Sequence, residues 1–130
     1  MTIAFWCVLG GILLPYACFG IARNRGRGPD GRRLRDNRHP RDFPEVISGV
    51  AKRAWDAQLN AFEAFPAFAA AVIIAQLAHA PQHRIDTLSL IWLAARVGHA
   101  SFYVLDRHAL RSASQFLGLA CVLGLFIISA

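Results

Sequence analysis

Four stretches of this sequence are apolar over the length of a membrane crossing: Ile3 to Ala22, roughly Ala61 to Ala80, Thr87 to Leu105 and Ser112 to Ala130. About 20 residues rising about 1.5 Å each span a hydrocarbon layer of about 30 Å as a helix. Inside that layer no water serves the backbone, so a single apolar run satisfies its own amides only by coiling. With 55% hydrophobic residues in a chain of 130, the expectation is one all-α membrane domain, spanning the whole chain, with four transmembrane helices. The first run has no basic residue before it and exceeds the length of a signal core. It is therefore expected to remain as the first span. Pro15 would loosen that helix locally, which neighbouring helices accommodate.

The charges are distributed as unevenly as the apolar residues. Arg23, Arg25, Arg27, Arg32, Arg33, Arg35, Arg38, Arg41, Lys52 and Arg53 lie between the first two runs, and Arg107 and Arg111 lie between the last two. The opposite side has only Arg84. Because basic residues are retained on the cytoplasmic side of short loops, loops one and three are expected there and both termini on the other side. The net charge of +6 is thus a topological signal. The Arg/Gly stretch offers neither interleaved aromatics nor a groove-reading helix, so no nucleic-acid partner is expected.

Residues 23 to 44 are rich in Arg, Gly, Asp and Pro and read as a solvated cytoplasmic loop, ending in a turn at His39 to Pro44. From Glu45 the helix-compatible residues run on, which predicts that the second helix starts before it enters the bilayer and bends at Pro66. Ala80 to Asp86 and Asp106 to His108 are short connections, and short connections make antiparallel neighbours. The predicted architecture is an up-down-up-down four-helix bundle.

The residues with chemistry lie inside these runs. Arg96, His99 and Tyr103 stand at i, i+3 and i+7 and share one stripe of a helix; Asn60 and Glu63 are likewise separated by three. Ionisable groups at membrane depth usually mark function, and each costs roughly 2.5–3.5 kcal/mol at a helix centre unless partnered. Glu63 is expected to pair with Arg96. Two readings of the pair stand: a clamp fixing helix register, or part of a pocket in which Arg53, Arg96 and Arg111 receive an anionic, water-soluble molecule. His99 reads as a hydrogen-bonded helix contact or a participant in that pocket, and Tyr103 as a pocket residue or a member of the interfacial aromatic belt.

Other conspicuous residues read more plainly. Cys7, Cys18 and Cys121 have no paired ligand spacing and are expected as small buried hydrophobes. His39, His79, His83 and His108 are scattered, so no metal site is expected. Trp6, Trp55 and Trp92 are expected as interfacial anchors, and Asp56 as a solvated acid.

The string Arg53-Ala54-Trp55-Asp56-Ala57-Gln58-Leu59-Asn60-Ala61-Phe62-Glu63-Ala64-Phe65-Pro66-Ala67-Phe68 resembles the signature of the MAPEG family, the membrane-associated proteins of eicosanoid and glutathione metabolism, with its N-x-x-E-x-x-P spacing. Ala95 to Tyr103 resembles that family's third-helix motif, and Arg111-Ser112 the pair that opens its fourth helix. The resemblance implies a homotrimer of four-helix protomers in which glutathione binds between subunits and lipophilic electrophiles arrive through the bilayer. It nominates Arg53, Asn60, Glu63, Arg96, His99 and Tyr103 for glutathione, with Arg111 and Ser112 at the thiol. Asp56 and Arg107 depart from the pattern, standing where glutathione-using eukaryotic members tend to have an arginine and a tyrosine.

Two functions follow. One is a glutathione-dependent transferase or peroxidase acting on lipophilic substrates. The other, suggested by Asp56, is a non-catalytic membrane protein of the same fold that binds a lipid or an acidic metabolite. A small transporter is the weaker third, since the chain has no inverted repeat.

Overall fold

The computed structural model describes residues 1–34, 38 and 40–130. Arg35 and His39 therefore lie outside the described residues. The described residues form five helices: α1 (Ile3–Arg25), α2 (Phe43–Val46), α3 (Gly49–Leu77), α4 (Gln82–Val104) and α5 (His108–Ser129). α1 packs on α3 and α4, while α5 packs on α4 and α3, so the two middle helices touch every other long one. The chain reverses at Ala78–Pro81, where His79 takes a φ of 55°, and again at Leu105–Arg107, where Asp106 takes a φ of 60°.

α1, α3 and α5 are long and apolar enough to cross a membrane. α4 matches α1 in length at 23 residues but is less apolar, so three candidate spans stand beside a fourth long helix, in keeping with the expected bundle. Its composition is diluted by what it hides. Ser89, Arg96 and His99 are buried, whereas Leu90, Ile91 and Val97 are exposed. A helix turned inside out in this way has polar residues that satisfy the bundle and apolar residues left for lipid.

At the end of the bundle carrying the N-terminus, Phe68 and Trp92 stack at 3.7 Å with their planes 6° apart, amid Cys7, Val72, Ile85, Cys121 and Leu125. Trp92 is 2% exposed and is a core residue, not the interfacial anchor expected; it stands midway along α4 on the face turned to α3. Trp6 is 57% exposed, as an anchor would be, and Trp55 is half-buried against Phe19 and Phe43. Gly11 lets α1 approach this stack closely, since an added Cβ would lie 3.0 Å from the Phe65 ring and 3.1 Å from Trp92.

The described part of the basic loop makes specific contacts. Arg27 and Arg33 form an isolated antiparallel bridge, and Phe43 and Ile47 are buried against Ala22, Ala51 and Ala54. The helix expected to run unbroken from Glu45 is interrupted. Ile47 and Ser48 are extended, and Gly49 takes a φ of 57°, a left-handed value that favours glycine. The break turns α2 back so that Phe43 meets Trp55 and the Arg23 guanidinium, 4.9 Å from its ring.

At the bundle end that carries the N-terminus, α1 is capped from outside itself. The Asp86 carboxylate on α4 accepts from Ala4 N at 2.9 Å and from Gln82 Nε2 at 2.9 Å, satisfying an amide that a helix start leaves orphaned. Asp86→Ala is expected to destabilise the protein by about 1 kcal/mol, the usual worth of a cap. A thermal unfolding series in detergent checks this, and Asp86→Asn should recover most of the loss.

Candidate functional site

Three helices each bring a few polar side chains to the same level of the bundle. α4 turns Arg96, His99 and Tyr103 inward along one stripe, α3 supplies Asn60, and the first turns of α5 supply Arg111, Ser112 and Gln115. α5 begins at His108, so Arg111 and Ser112 are already helical and fixed in direction.

Arg96 is 2% exposed, and its partners are not the expected ones. One guanidinium nitrogen donates to Gln115 Oε1 and the other to Asn60 Oδ1 at 2.6 Å, with a longer contact to Asn60 O at 3.3 Å. No ion pair joins Arg96 to Glu63 among the described residues; Glu63 is exposed on the surface of the chain. This corrects the predicted buried pair. Glu63 and Arg96 still line one cavity of about 200 Å³, together with Gln115 and Trp92. The physical reason is axial register. Asn60, one turn before Glu63, stands at the level of the guanidinium, and two neutral carbonyl oxygens complete the fork geometry that arginine favours.

That arrangement fixes the amides. With both carbonyl oxygens held by Arg96, the side chains of Asn60 and Gln115 have their NH₂ groups left to offer. Both residues also line a second, more polar cavity of about 310 Å³, with His99, Tyr103, Arg111, Ser112 and Phe116. Five sequence-nominated residues therefore meet here: Asn60, His99, Tyr103, Arg111 and Ser112. The Arg111 guanidinium lies over the Tyr103 ring, 4.5 Å from its centroid, a cation–π contact that holds the charge at the cavity wall. The lining is rich in donors, which suits an anion.

His99 is tied down at one nitrogen only. Its Nδ1 is 3.0 Å from Arg111 O, and a carbonyl oxygen only accepts, so Nδ1 carries the proton. Nε2, buried and without a partner among the described residues, bears the lone pair in the neutral ring. The imidazole packs edge-on to Tyr103 at 5.7 Å.

Arg53 and Glu63 are not brought to the polar cavity. Arg53 Nε donates to Val104 O at 3.1 Å, satisfying a carbonyl at the end of α4. Asp56 is not merely solvated, since it pairs with Lys52 at 2.5 Å, one turn back on α3; its charge is offset locally. Sequence reasoning missed Gln115, which both cavities share. The signal was present: Gln115 follows Arg111 by four residues and Ser112 by three, placing it on their face of α5. Being neutral, it drew no attention as a membrane anomaly. Cys7, Cys18 and Cys121 are buried free thiols, and no cluster of potential metal ligands occurs among the described residues.

Compared with known proteins, residues 3–130 match the family model described as the MAPEG family. No curated protein and no solved structure matches.

Proposed function

Since the chain belongs to the MAPEG family, we propose that this membrane protein is a glutathione-dependent transferase or peroxidase acting on lipophilic electrophiles. The observation that carries the reading is the donor-rich cavity, where amide groups oriented by Arg96 converge with Arg111, Tyr103 and Ser112. An anionic tripeptide suits such a lining, its carboxylates accepting from the amides and hydroxyls. A free thiol titrates near 8.5, and a neighbouring cation lowers that value and raises the thiolate fraction at neutral pH. Arg111 is the cation in position to do so, with Ser112 as a hydrogen-bond donor to the same sulfur. In conjugation the thiolate sulfur forms a bond to the electrophilic carbon while that carbon's bond to its leaving group breaks; the leaving group departs with the electron pair, and the proton released from the thiol goes to solvent. Glu63, across Gln115 in the adjoining cavity, suits the tripeptide's ammonium group.

The assembly belongs to the same proposal. Glu63 lies exposed on a helix long and apolar enough to cross the membrane, and an acid facing acyl chains costs roughly 2.5–3.5 kcal/mol. A homotrimer in which a neighbouring copy covers that face removes the cost. The charge rule places the end bearing Arg53, Arg107 and Arg111 in the cytoplasm and both termini opposite, so the cavity opens toward soluble glutathione.

A specific observation also favours a second reading. Arg53 and Arg96, nominated to hold carboxylates, are engaged within the protomer, as they would be in a non-catalytic protein that keeps the bundle and binds a different acidic molecule. Glutathione titrated into the detergent-solubilised protein separates the two. Saturable binding at millimolar concentration, with a thiolate absorbance appearing in step, is expected; no binding under those conditions would leave the second reading.

A further inference from the structure

Between α1 and α4, a separate hollow of about 330 Å³ opens on the bundle's outer surface. Its floor is low because the residues there are small: Ala17 and Cys18 on α1, Ala100 and Ser101 on α4. Leu14 and Ile21 mark its two ends on α1. Ser101 has already donated its hydroxyl to Val97 O at 2.9 Å, so the floor asks for no hydrogen bond. What fits is hydrocarbon. From Leu14 to Ile21 the groove runs about 10 Å along the helix axis, against a leaflet of about 15 Å in a bilayer core of about 30 Å.

The groove is not apolar to its end. The stripe of α1 that forms it continues one turn beyond Ile21 to Arg25, and Arg107 follows Leu105 in the turn after α4. Both arginines are exposed, and neither forms an ion pair among the described residues. We infer that this groove is a binding site for an anionic phospholipid, with one acyl chain over Cys18 and Ala100 and the phosphate between Arg25 and Arg107. The two halves of the site match the two halves of the ligand. Guanidinium groups prefer a headgroup whose phosphate is not already neutralised by its own ammonium. The site is distinct from the polar cavity and does not depend on what that cavity binds.

Native mass spectrometry of the full chain, released from detergent containing equal amounts of phosphatidylglycerol and phosphatidylcholine with the same acyl chains, tests this. Phosphatidylglycerol should be retained about tenfold over phosphatidylcholine. The double variant Arg25→Gln, Arg107→Gln should bring the two to parity. Ala17→Phe, a change at an exposed position, should fill the groove and reduce retention of both, and Ser101→Phe should do the same from α4; an unchanged helical circular dichroism spectrum certifies each fold. Arg32→Gln should leave the preference intact, because Arg32 already lies 4.0 Å from the Asp30 carboxylate. Excess soluble glycerol phosphate should displace nothing. Equal retention by the parent, a preference surviving the double variant, lipid held undiminished by both groove-filling variants, loss in Arg32→Gln, or displacement by glycerol phosphate would each overturn the assignment.

Discussion

Arg96→Ala is expected to lose up to about 6 kcal/mol of stability, enough to unfold a marginal protein, because two part-buried side-chain acceptors lose their charged donor. Asn60 Oδ1 and Gln115 Oε1 both accept from this guanidinium, and a hydrogen bond to a charged group contributes about 1.5–3 kcal/mol. The residue is 2% exposed, so its removal also vacates interior volume and adds a packing loss. Arg96→Lys should fall between parent and alanine variant, since an ammonium keeps the charge but cannot fork across α3 and α5. Thermal unfolding in detergent reads all three. A parental midpoint for Arg96→Ala would mean that the guanidinium does not join the three helices. The same variants carry a functional consequence. Once the amides of Asn60 and Gln115 are free to turn, their carbonyls can face the cavity, and glutathione affinity should fall even in Arg96→Lys.

Arg111→Ala should reduce turnover by about 10²–10³-fold, the usual effect of deleting one group that stabilises a developing or resident anion, while glutathione affinity changes no more than a few-fold. The geometry makes this substitution unusually clean. Arg111 holds His99 through its backbone oxygen, which alanine retains, so the imidazole keeps its tether while the charge over Tyr103 is removed. The second readout is the thiolate absorbance of bound glutathione, which should shrink in the variant at neutral pH and return as pH rises toward the free thiol's value near 8.5. Equal turnover for parent and variant would take Arg111 out of the chemistry, even if glutathione binds.

Much of the site was visible as a pattern within single helices. The i, i+3, i+7 spacing of Arg96, His99 and Tyr103 required one shared face, and a polar face among apolar residues required an interior, which is where α4 places Arg96 and His99. Asn60, Arg111 and Ser112 join them at the polar cavity. Opposite charge alone does not identify Arg96's partner. Within a bundle, the group at the right height and rotation wins, and two amides there outcompete a carboxylate one turn away. Gln115 escaped for the complementary reason, that a neutral side chain in an apolar run looks unremarkable until the guanidinium opposite it is known.

By itself, the sequence determined that this chain is built of long helices suited to a bilayer, where the two short connections between the last three of them fall, and which residues share each helix face. Those properties follow from hydrophobic run length and from about 100° of rotation per residue, both local. The tertiary structure alone decided that Trp92 stacks on Phe68 in the core, that α2 folds back at Gly49, that Arg96 bridges Asn60 to Gln115, and that Glu63 stays outside. These depend on how far each helix slides and rotates against its neighbours. That is settled by the packing of large rings against small residues such as Gly11, summed over the whole bundle.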